Sequence, residues 1–295
     1  PAPTPVPPTE EVRAVWVSRF DWTKVPNIPT VADIQAVVDD VARAGFNTIF
    51  FQVRGAGDAY YTPGLEPWAP RLTGSHSRTL GQHPGWDPLA EMIWRAHAAG
   101  IRVHAWTNVS PVWLGPPEVP DEPLTPNENL NDPPAPLYRL SWNNDRVQGY
   151  GLGNAWRAHD ANGNPMGVVW GSYLWASPSV PAVRDHVAAV AADIAARYAI
   201  DGLHLDYVRY PGSQYSLDPT AQEACAADPA CPGVEDEVWR GHYQRDRLTH
   251  LVAEVAARAR AARPGLQVSA AVWPLFMNPM GLGDSALLGF YDYCQ

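Results

Sequence analysis

Gly202-Leu203-His204-Leu205-Asp206-Tyr207-Val208 is the stretch on which the fold turns. As a strand it sets Gly202, His204 and Asp206 on one face and Leu203, Leu205 and Tyr207 on the other. Two upstream runs divide in the same way. Ile101 to Val109 sets His104, Trp106 and Asn108 against Val103, Ala105 and Thr107, and Asn47 to Val53 sets Gln52, with Arg54 next on that face, against Phe51 and Val53. One apolar lane for helices to cover and one polar lane suit a (β/α) barrel interior near its C-terminal mouth. An open doubly wound sheet is more often apolar on both faces.

The flanking segments alternate accordingly. Arg13 to Phe20 reads as a first strand, and Thr30 caps a helix that runs to Ala44 before Gly45. A second helix spans about Asp87 to Ala99 and closes at Gly100; Ala/Val periodicity predicts a third over Val180 to Tyr198. Trp239 to Ala262 is a long helix and Leu266 to Trp273 a fifth strand. No Gly-rich phosphate fingerprint follows the first strand. The expected class is α/β, a (β/α)8 TIM-type barrel. Five strands fall short of the eight a barrel needs, and a long irregular excursion from Pro111 to Pro178 takes up much of the chain. Within it Val168 to Ala176 is read as a short hairpin, and Leu287 to Gln295 as the middle of an element. The expectation is a barrel incomplete in this chain, its last strands missing. In domain terms, residues 1–12 form a Pro-rich linker and 13–295 one barrel domain with an insertion at about 111–178.

Composition narrows the function. Of 295 residues, 46% are hydrophobic and 18% charged, enough for a sizeable core and incompatible with disorder throughout. The formal charge of −10 opposes nucleic acid as a partner. No apolar run is long enough for a membrane span. Thirteen Trp and twelve Tyr suit core packing and equally suit stacking on sugar faces. The polyproline-type start, Pro1 to Pro8, commonly follows a cleaved signal or a lipid anchor, which points to a secreted or periplasmic protein. Cys225 and Cys231 bracket a turn-like loop that a disulfide could close, and two ligands without a second pair make a poor zinc site. Cys294 is left over.

Barrel enzymes cluster catalytic groups at the C-terminal strand ends. That rule nominates Arg19, Asp21, Gln52, Arg54, Asp58, Asn108 and Asp206 with Tyr207, Arg209 and Tyr210. Asp206 stands out because it closes an inward lane among aromatic and basic neighbours; the bland alternative is a carboxylate paired with Arg209 or Arg54. His104 and His204 lie one layer deeper, where hydrogen-bonded interior histidines are expected. His76 and His83 have a spacing that no metal motif uses.

Asn47-Thr48-Ile49-Phe50-Phe51-Gln52-Val53-Arg54 followed by Gly57-Asp58-Ala59-Tyr60-Tyr61 resembles the bacterial glycosyl-hydrolase-like family ten. So do Pro67-Trp68, the run from Ala96-His97 through Gly100 to Val103-His104-Ala105-Trp106-Thr107-Asn108, and Pro181-Ala182-Val183-Arg184. Asp201 to Asp206 with Tyr210-Pro211 completes the series. The resemblance implies a secreted or periplasmic (β/α)8 barrel that hydrolyses glycosidic bonds, with bacterial cell-wall or related amino-sugar polysaccharide as substrate. Many members carry paired aspartates where Asp206 is here followed by Tyr207. The strand also looks like the chitinase family 18 signature, but His204 and Val208 occupy its aspartate and acid-glutamate positions, so that mechanism is not supported.

Glycoside hydrolysis ordinarily uses two carboxyls. Asp206 is expected to be the nucleophile or stabiliser, its pKa held low if Arg54 or Arg209 is near. Asp58 is the acid, with a residue from the absent strands as rival. Tyr60, Trp68, Trp106 and Trp273 are expected as stacking platforms. Gln52, Arg54, His104 and Asn108 would bond hydroxyl or acetamido groups, with His204, Tyr207, Arg209 and Tyr210 also counted in the substrate site. No metal or organic cofactor is implied. The alternatives are a catalytically inactive glycan-binding barrel and a polysaccharide deacetylase, which would need a His/Asp ligand cluster.

Overall fold

Five parallel strands lie side by side in chain order: β1 (Ala14–Val17), β2 (Thr48–Arg54), β3 (Arg102–Asn108), β6 (Gly202–Asp206) and β7 (Gln267–Ala270). The computed structural model describes residues 11–76, 79–114, 156–160, 162–167, 171–212, 214–215 and 217–272. Between the strands run α2 (Val31–Arg43), α3 (Pro88–Ala98), α4 (Pro181–Arg197) and α6 (Glu237–Ala262), with short α1 (Arg19–Trp22) and α5 (Pro219–Ala227) at loops. A parallel sheet flanked by helices, each strand beside its predecessor, is the wall of a (β/α) barrel.

Register fixes which side chains share a layer. Trp16 pairs with Phe50, Phe50 with His104 and His104 with Gly202. One step higher, Gln52, Trp106, His204 and Ser269 line up, and above them Asn108 pairs with Asp206. The opposite lane is apolar. Ile49, Phe51, Val103, Ala105, Leu203 and Leu205 are fully buried against Ile34 and Val38 of α2, Leu89 and Met92 of α3, Ile194 of α4 and Leu248 and Val255 of α6. Each such side chain contributes roughly 1.5–3 kcal/mol on burial, which makes the helix-facing lane the mainstay of the wall.

Local chemistry starts the helices where the sequence predicts. Asp87 caps α3 by accepting from the Ala90 N–H at 3.0 Å, and Asp33 accepts from the Thr30 N–H at 2.7 Å ahead of α2. Such caps are worth about 1 kcal/mol each. Gly45 and Gly100 follow their helices at φ +77° and +72°, the left-handed exit that glycine makes without strain.

Four differences from the sequence reading bear on the site. The first strand stops at Val17, because Ser18 and Asp21 cap a helical turn in which the Asp21 carboxylate accepts from Ser18 N (2.7 Å) and Oγ (2.8 Å). Arg19 therefore sits on a helix, not a strand. Strand β6 ends at Asp206 because Tyr207 turns left-handed. The excursion carries β4 (Pro111–Leu114), which pairs antiparallel with β5 (Tyr173–Trp175), so a ribbon joins the two ends of the excursion in place of a local hairpin at 168–176. Helix α5 was not expected; Asp218 caps it (3.0 Å from Ala221 N) and Pro219 opens it. Cys225 at the end of α5 is disulfide-bonded to Cys231. Trp273, Cys294, residues 287–295 and the Pro-rich start up to residue 10 lie outside the described residues.

Candidate functional site

The deepest polar layer is committed to holding the wall. The Trp16 indole N–H donates to His204 Nε2 at 3.1 Å, so that nitrogen carries the lone pair and Nδ1–H donates to Ser269 Oγ at 2.9 Å. Phe50 stacks on the same ring at 4.4 Å. Burial, with His104 adding to it, pushes the His204 pKa down to about 4, which keeps the ring neutral. His104 is lowered too, chiefly by burial, and its ring meets Phe50 edge-on at 5.2 Å. That ring lies across Gly202, where a Cβ would come within 2.3 Å of His104 Nδ1. The inner lane thus takes glycine at 202 so that His104 can turn inward.

Above it runs a chain of amides. Arg19 Nη1 donates to Gln52 Oε1 at 2.9 Å, Gln52 Nε2 to Asn108 Oδ1 at 3.1 Å, and Asn108 Nδ2 to the Gly55 carbonyl at 2.9 Å. Gln52 and Asn108 are buried, so these bonds orient the mouth from beneath.

Arg54 departs from the lane predicted for it. A register shift between Gln52 and Arg54 pairs Arg54 with Thr107, a residue of the outer lane. The bulge aims the guanidinium beneath the helices, where Nε and Nη2 grip the Glu66 carboxylate at 2.8 and 2.7 Å. His186 Nε2 of α4 reaches Glu66 Oε1 at 3.0 Å. Burial opposes the Glu66 charge, but Arg54 and His186 outweigh it and hold the pKa down to about 2. Arg54 Nη1 also donates to the Asn108 and Val109 carbonyls, which fixes the top of β3. Arg54 is a positioning residue on this geometry.

Asp206 is half-buried at the top of β6. The Tyr207 N–H donates to its Oδ1 at 2.7 Å, and Tyr207 adopts a positive φ of +56°, unusual for a residue other than glycine. Burial raises the Asp206 pKa; the Tyr207 N–H, the nearby Trp106 indole and Arg209 pull the other way without reversing it. The expectation of a depressed value fails for two reasons. Arg54 is engaged by Glu66, and the Arg209 guanidinium lies over the rings of Trp175 (4.9 Å) and Tyr207 (5.0 Å). Tyr207 also packs edge-on to Tyr173 at 5.2 Å; burial, then Tyr173 and Asp206, push its hydroxyl up to about 12.

A cleft of about 270 Å³ opens beside the top of β1 and β2. Its walls include Arg19, Phe20, Asp58, Tyr60, Arg71 and Trp113. Asp58 accepts on Oδ1 from the N–H groups of Gly55 (3.2 Å) and Ala56 (2.7 Å). Since Gly55 also bonds Asn108, the neighbour of Asp206 across the sheet, one short chain links both carboxylates. Arg19 Nη2 donates to Tyr173 at 2.8 Å, and Tyr173 in turn packs edge-on to Tyr207, the residue after Asp206.

The predicted platforms separate. Tyr60 lines the cleft and Trp106 stands beside Asp206, whereas Trp68 is buried in the core at 1% exposure. Tyr210 is likewise buried, its hydroxyl 2.9 Å from Ser179 Oγ. Among the described residues no group of three or more His, Cys, Asp or Glu could hold a metal ion. Sequence reasoning missed Glu66, His186, Phe20, Arg71, Trp113 and Tyr173. All but Phe20 lie outside the strand-end lanes on which it relied, and Phe20 was passed over between Arg19 and Asp21 because it carries no polar group.

A profile of the family described as Glycosyl hydrolase-like 10 matches residues 11–139 and 158–289. Glycosyl hydrolase DigH of Escherichia coli strain K12 is 27% identical over 284 residues, which cover 90% of this chain and 56% of DigH. Glycosyl hydrolase YngK of Bacillus subtilis strain 168 is 26% identical, over 96% of this chain and 49% of its own. The chain spans about half the length of these curated relatives. Two solved structures share the fold. Alpha-L-fucosidase isoenzyme 2 from Paenibacillus thiaminolyticus superposes with a TM-score of 0.55 at 17% identity, over 88% of this chain and 32% of that one. The PgaB (BpsB) glycoside hydrolase domain from Bordetella bronchiseptica gives 0.53 at 14% identity, over 91% and 66%.

Proposed function

We propose that this chain, which belongs to the glycosyl hydrolase-like 10 family, hydrolyses glycosidic bonds in a bacterial cell-wall or related amino-sugar polysaccharide outside the cytoplasm. The observation that carries the reading is Asp206, a carboxyl at the C-terminal end of a barrel strand whose pKa is raised by burial and whose orientation is set by the Tyr207 N–H. A carboxyl of raised pKa is suited to give its proton to a leaving oxygen. Asp206 is therefore the general acid, the reverse of the role expected from sequence. Asp58, its Oδ1 held by two backbone N–H groups and faced by Arg19, is the second carboxyl.

In the reaction Asp206 protonates the glycosidic oxygen as the bond from that oxygen to the anomeric carbon breaks. Asp58 either attacks that carbon or takes a proton from the water that does. Water supplies the new hydroxyl: where Asp58 has attacked, Asp206 takes that water's proton as the covalent intermediate opens, and where Asp58 has taken the proton, exchange with solvent returns Asp58 to its carboxylate and Asp206 to its acid. Trp106, Tyr207 and Arg209 beside Asp206 are the sugar-contacting groups, while Gln52, Asn108, Arg54 and His204 hold the wall behind them.

The test is incubation of the intact protein and its Asp206→Asn variant with peptide-free peptidoglycan strands and with chitin oligosaccharides, read by mass spectrometry. Shortened glycans from the parent alone support the proposal. Intact glycans with binding retained in both would replace it with the inactive glycan-binding barrel, and equal cleavage would remove Asp206 from the mechanism.

A further inference from the structure

Two arginines and one aspartate face one another across the cleft, in a chain whose formal net charge is −10. Neutral groups hold both guanidiniums in place. Arg19 donates to Gln52 and Tyr173, and Arg71 donates through Nε to Thr23 Oγ1 at 2.8 Å and through Nη2 to the Thr23 carbonyl. Both pack over the Phe20 ring, at 4.3 and 4.7 Å from its centre. Among the described residues neither forms an ion pair, and Asp58 spends Oδ1 on the backbone of its own loop. The wall therefore carries two positive charges against one negative.

A second feature points into the same space. Tyr60 is fully buried and lines the cleft, yet among the described residues its hydroxyl has no hydrogen-bond partner. A buried hydroxyl left unpaired is unfavourable, and a ligand oxygen would satisfy it. Burial lowers the proton affinity of Arg71 and the like charge of Arg19 adds to it, while Tyr60 and Asp58 act the other way. The cleft volume of about 270 Å³ suits a single ring more than a length of chain.

We infer that this cleft is a subsite for a carboxylate-bearing sugar unit, bound through Arg19, Arg71 and the Tyr60 hydroxyl, with Phe20 and Trp113 as its apolar sides. A monoanion balances the wall, whereas a neutral sugar leaves one partly desolvated cation uncompensated. The carboxylate can sit at ring carbon 6, as in a uronate, or on an ether arm, as in a muramyl unit. The inference deepens the glycosidase reading and rests on it for the ligand being a sugar.

The experiment is calorimetric titration of the intact Asp206→Asn protein with three tetrasaccharides: a neutral chitin fragment, a uronate oligomer and a muramyl-containing strand. At least one acidic ligand is expected to bind about tenfold tighter than the neutral one. That advantage should shrink severalfold between about 0.05 M and about 0.5 M salt, and severalfold on adding Arg71→Gln. Arg71→Lys, which keeps the charge, should retain most of it and controls for a folding defect. Which acidic ligand wins distinguishes the two carboxylate positions. Equal or tighter binding of the neutral ligand, no binding of any, or an advantage unmoved by Arg71→Gln would overturn the subsite. Cleavage is scored separately on the parent protein, so a binding preference without hydrolysis defeats the enzyme reading and leaves this one standing.

Discussion

Tyr207 holds Asp206 by its backbone: the N–H of the residue that leaves strand β6 in a left-handed turn lies 2.7 Å from the Oδ1 of the residue that ends it. The turn costs an L side chain roughly 1–2 kcal/mol, and it is kept because the ring packs between Tyr173, Trp175 and the Arg209 guanidinium. Backbone and ring therefore have separable duties. Tyr207→Gly, which adopts the turn freely, should retain hydrolysis within about tenfold and keep its pH profile, with the loss in KM. Tyr207→Val should lower kcat by a further one to two orders of magnitude, since a β-branched residue resists the turn. Equal losses in the two variants would refute the backbone role.

Asp206 also sets a stability signature. Its folded pKa is raised, so the folded chain gains from the protonated form at low pH and loses that gain as pH rises through the folded value. Asp206→Asn should melt higher than the parent at pH 7, by a few degrees, with the gap closing below about pH 4. Thermal melts across that range measure it. A lower melting temperature at pH 7 would contradict the raised value.

Glu66 carries the opposite sign. Held at about 2 by Arg54 and His186, it contributes stability above its unfolded pKa that is lost as pH falls toward 2. Glu66→Gln should cost about 3 kcal/mol at neutral pH by leaving Arg54 buried without its carboxylate. Urea unfolding should show that deficit shrinking between about pH 4.5 and about pH 2. A deficit independent of pH would mean that the ion pair is not its source.

His204 adds a second acid window. Its folded pKa of about 4 lies below the ordinary histidine range, so the unfolded chain takes up a proton first as pH falls. The parent should lose on the order of 2 kcal/mol between about pH 6.5 and pH 4, partial solvent screening included. His204→Gln should flatten that window while lowering stability throughout, through the loss of the Phe50 stack. Nuclear magnetic resonance titration of the ring gives the pKa directly.

Periodicity made the wall legible: the polar lane of Gln52, Trp106, His204 and Asp206 and the apolar lane opposite could be read because strand alternation is local. Two features escaped for physical reasons. The bulge at Gln52/Arg54 reverses the side of one arginine, and alternation carried past a bulge gives the wrong face. The contact that receives it joins Glu66 to His186 across 120 residues, where no local pattern points from one to the other. Likewise, the end of β6 depends on Tyr173 and Trp175, far along the chain. Asp206 was legible as a strand-end carboxylate and Asp58 as one in the loop after β2, whereas Arg71, on a 3-10 turn further along, followed no period at all.

The ribbon of β4 and β5 makes the excursion a modular socket. Pro111 faces Trp175 and Leu114 faces Tyr173, so the chain leaves the barrel wall and returns to it at adjacent points. From the wall's standpoint the circuit is already closed at its base, and lengthening it costs only slowly growing loop entropy. Trp113, which borders the cleft, and Tyr173, which packs on Tyr207, stand on that base. Differences in the length of chain between the two ribbon strands are thus absorbed beyond the ribbon, and the strand ends beneath it keep their shape.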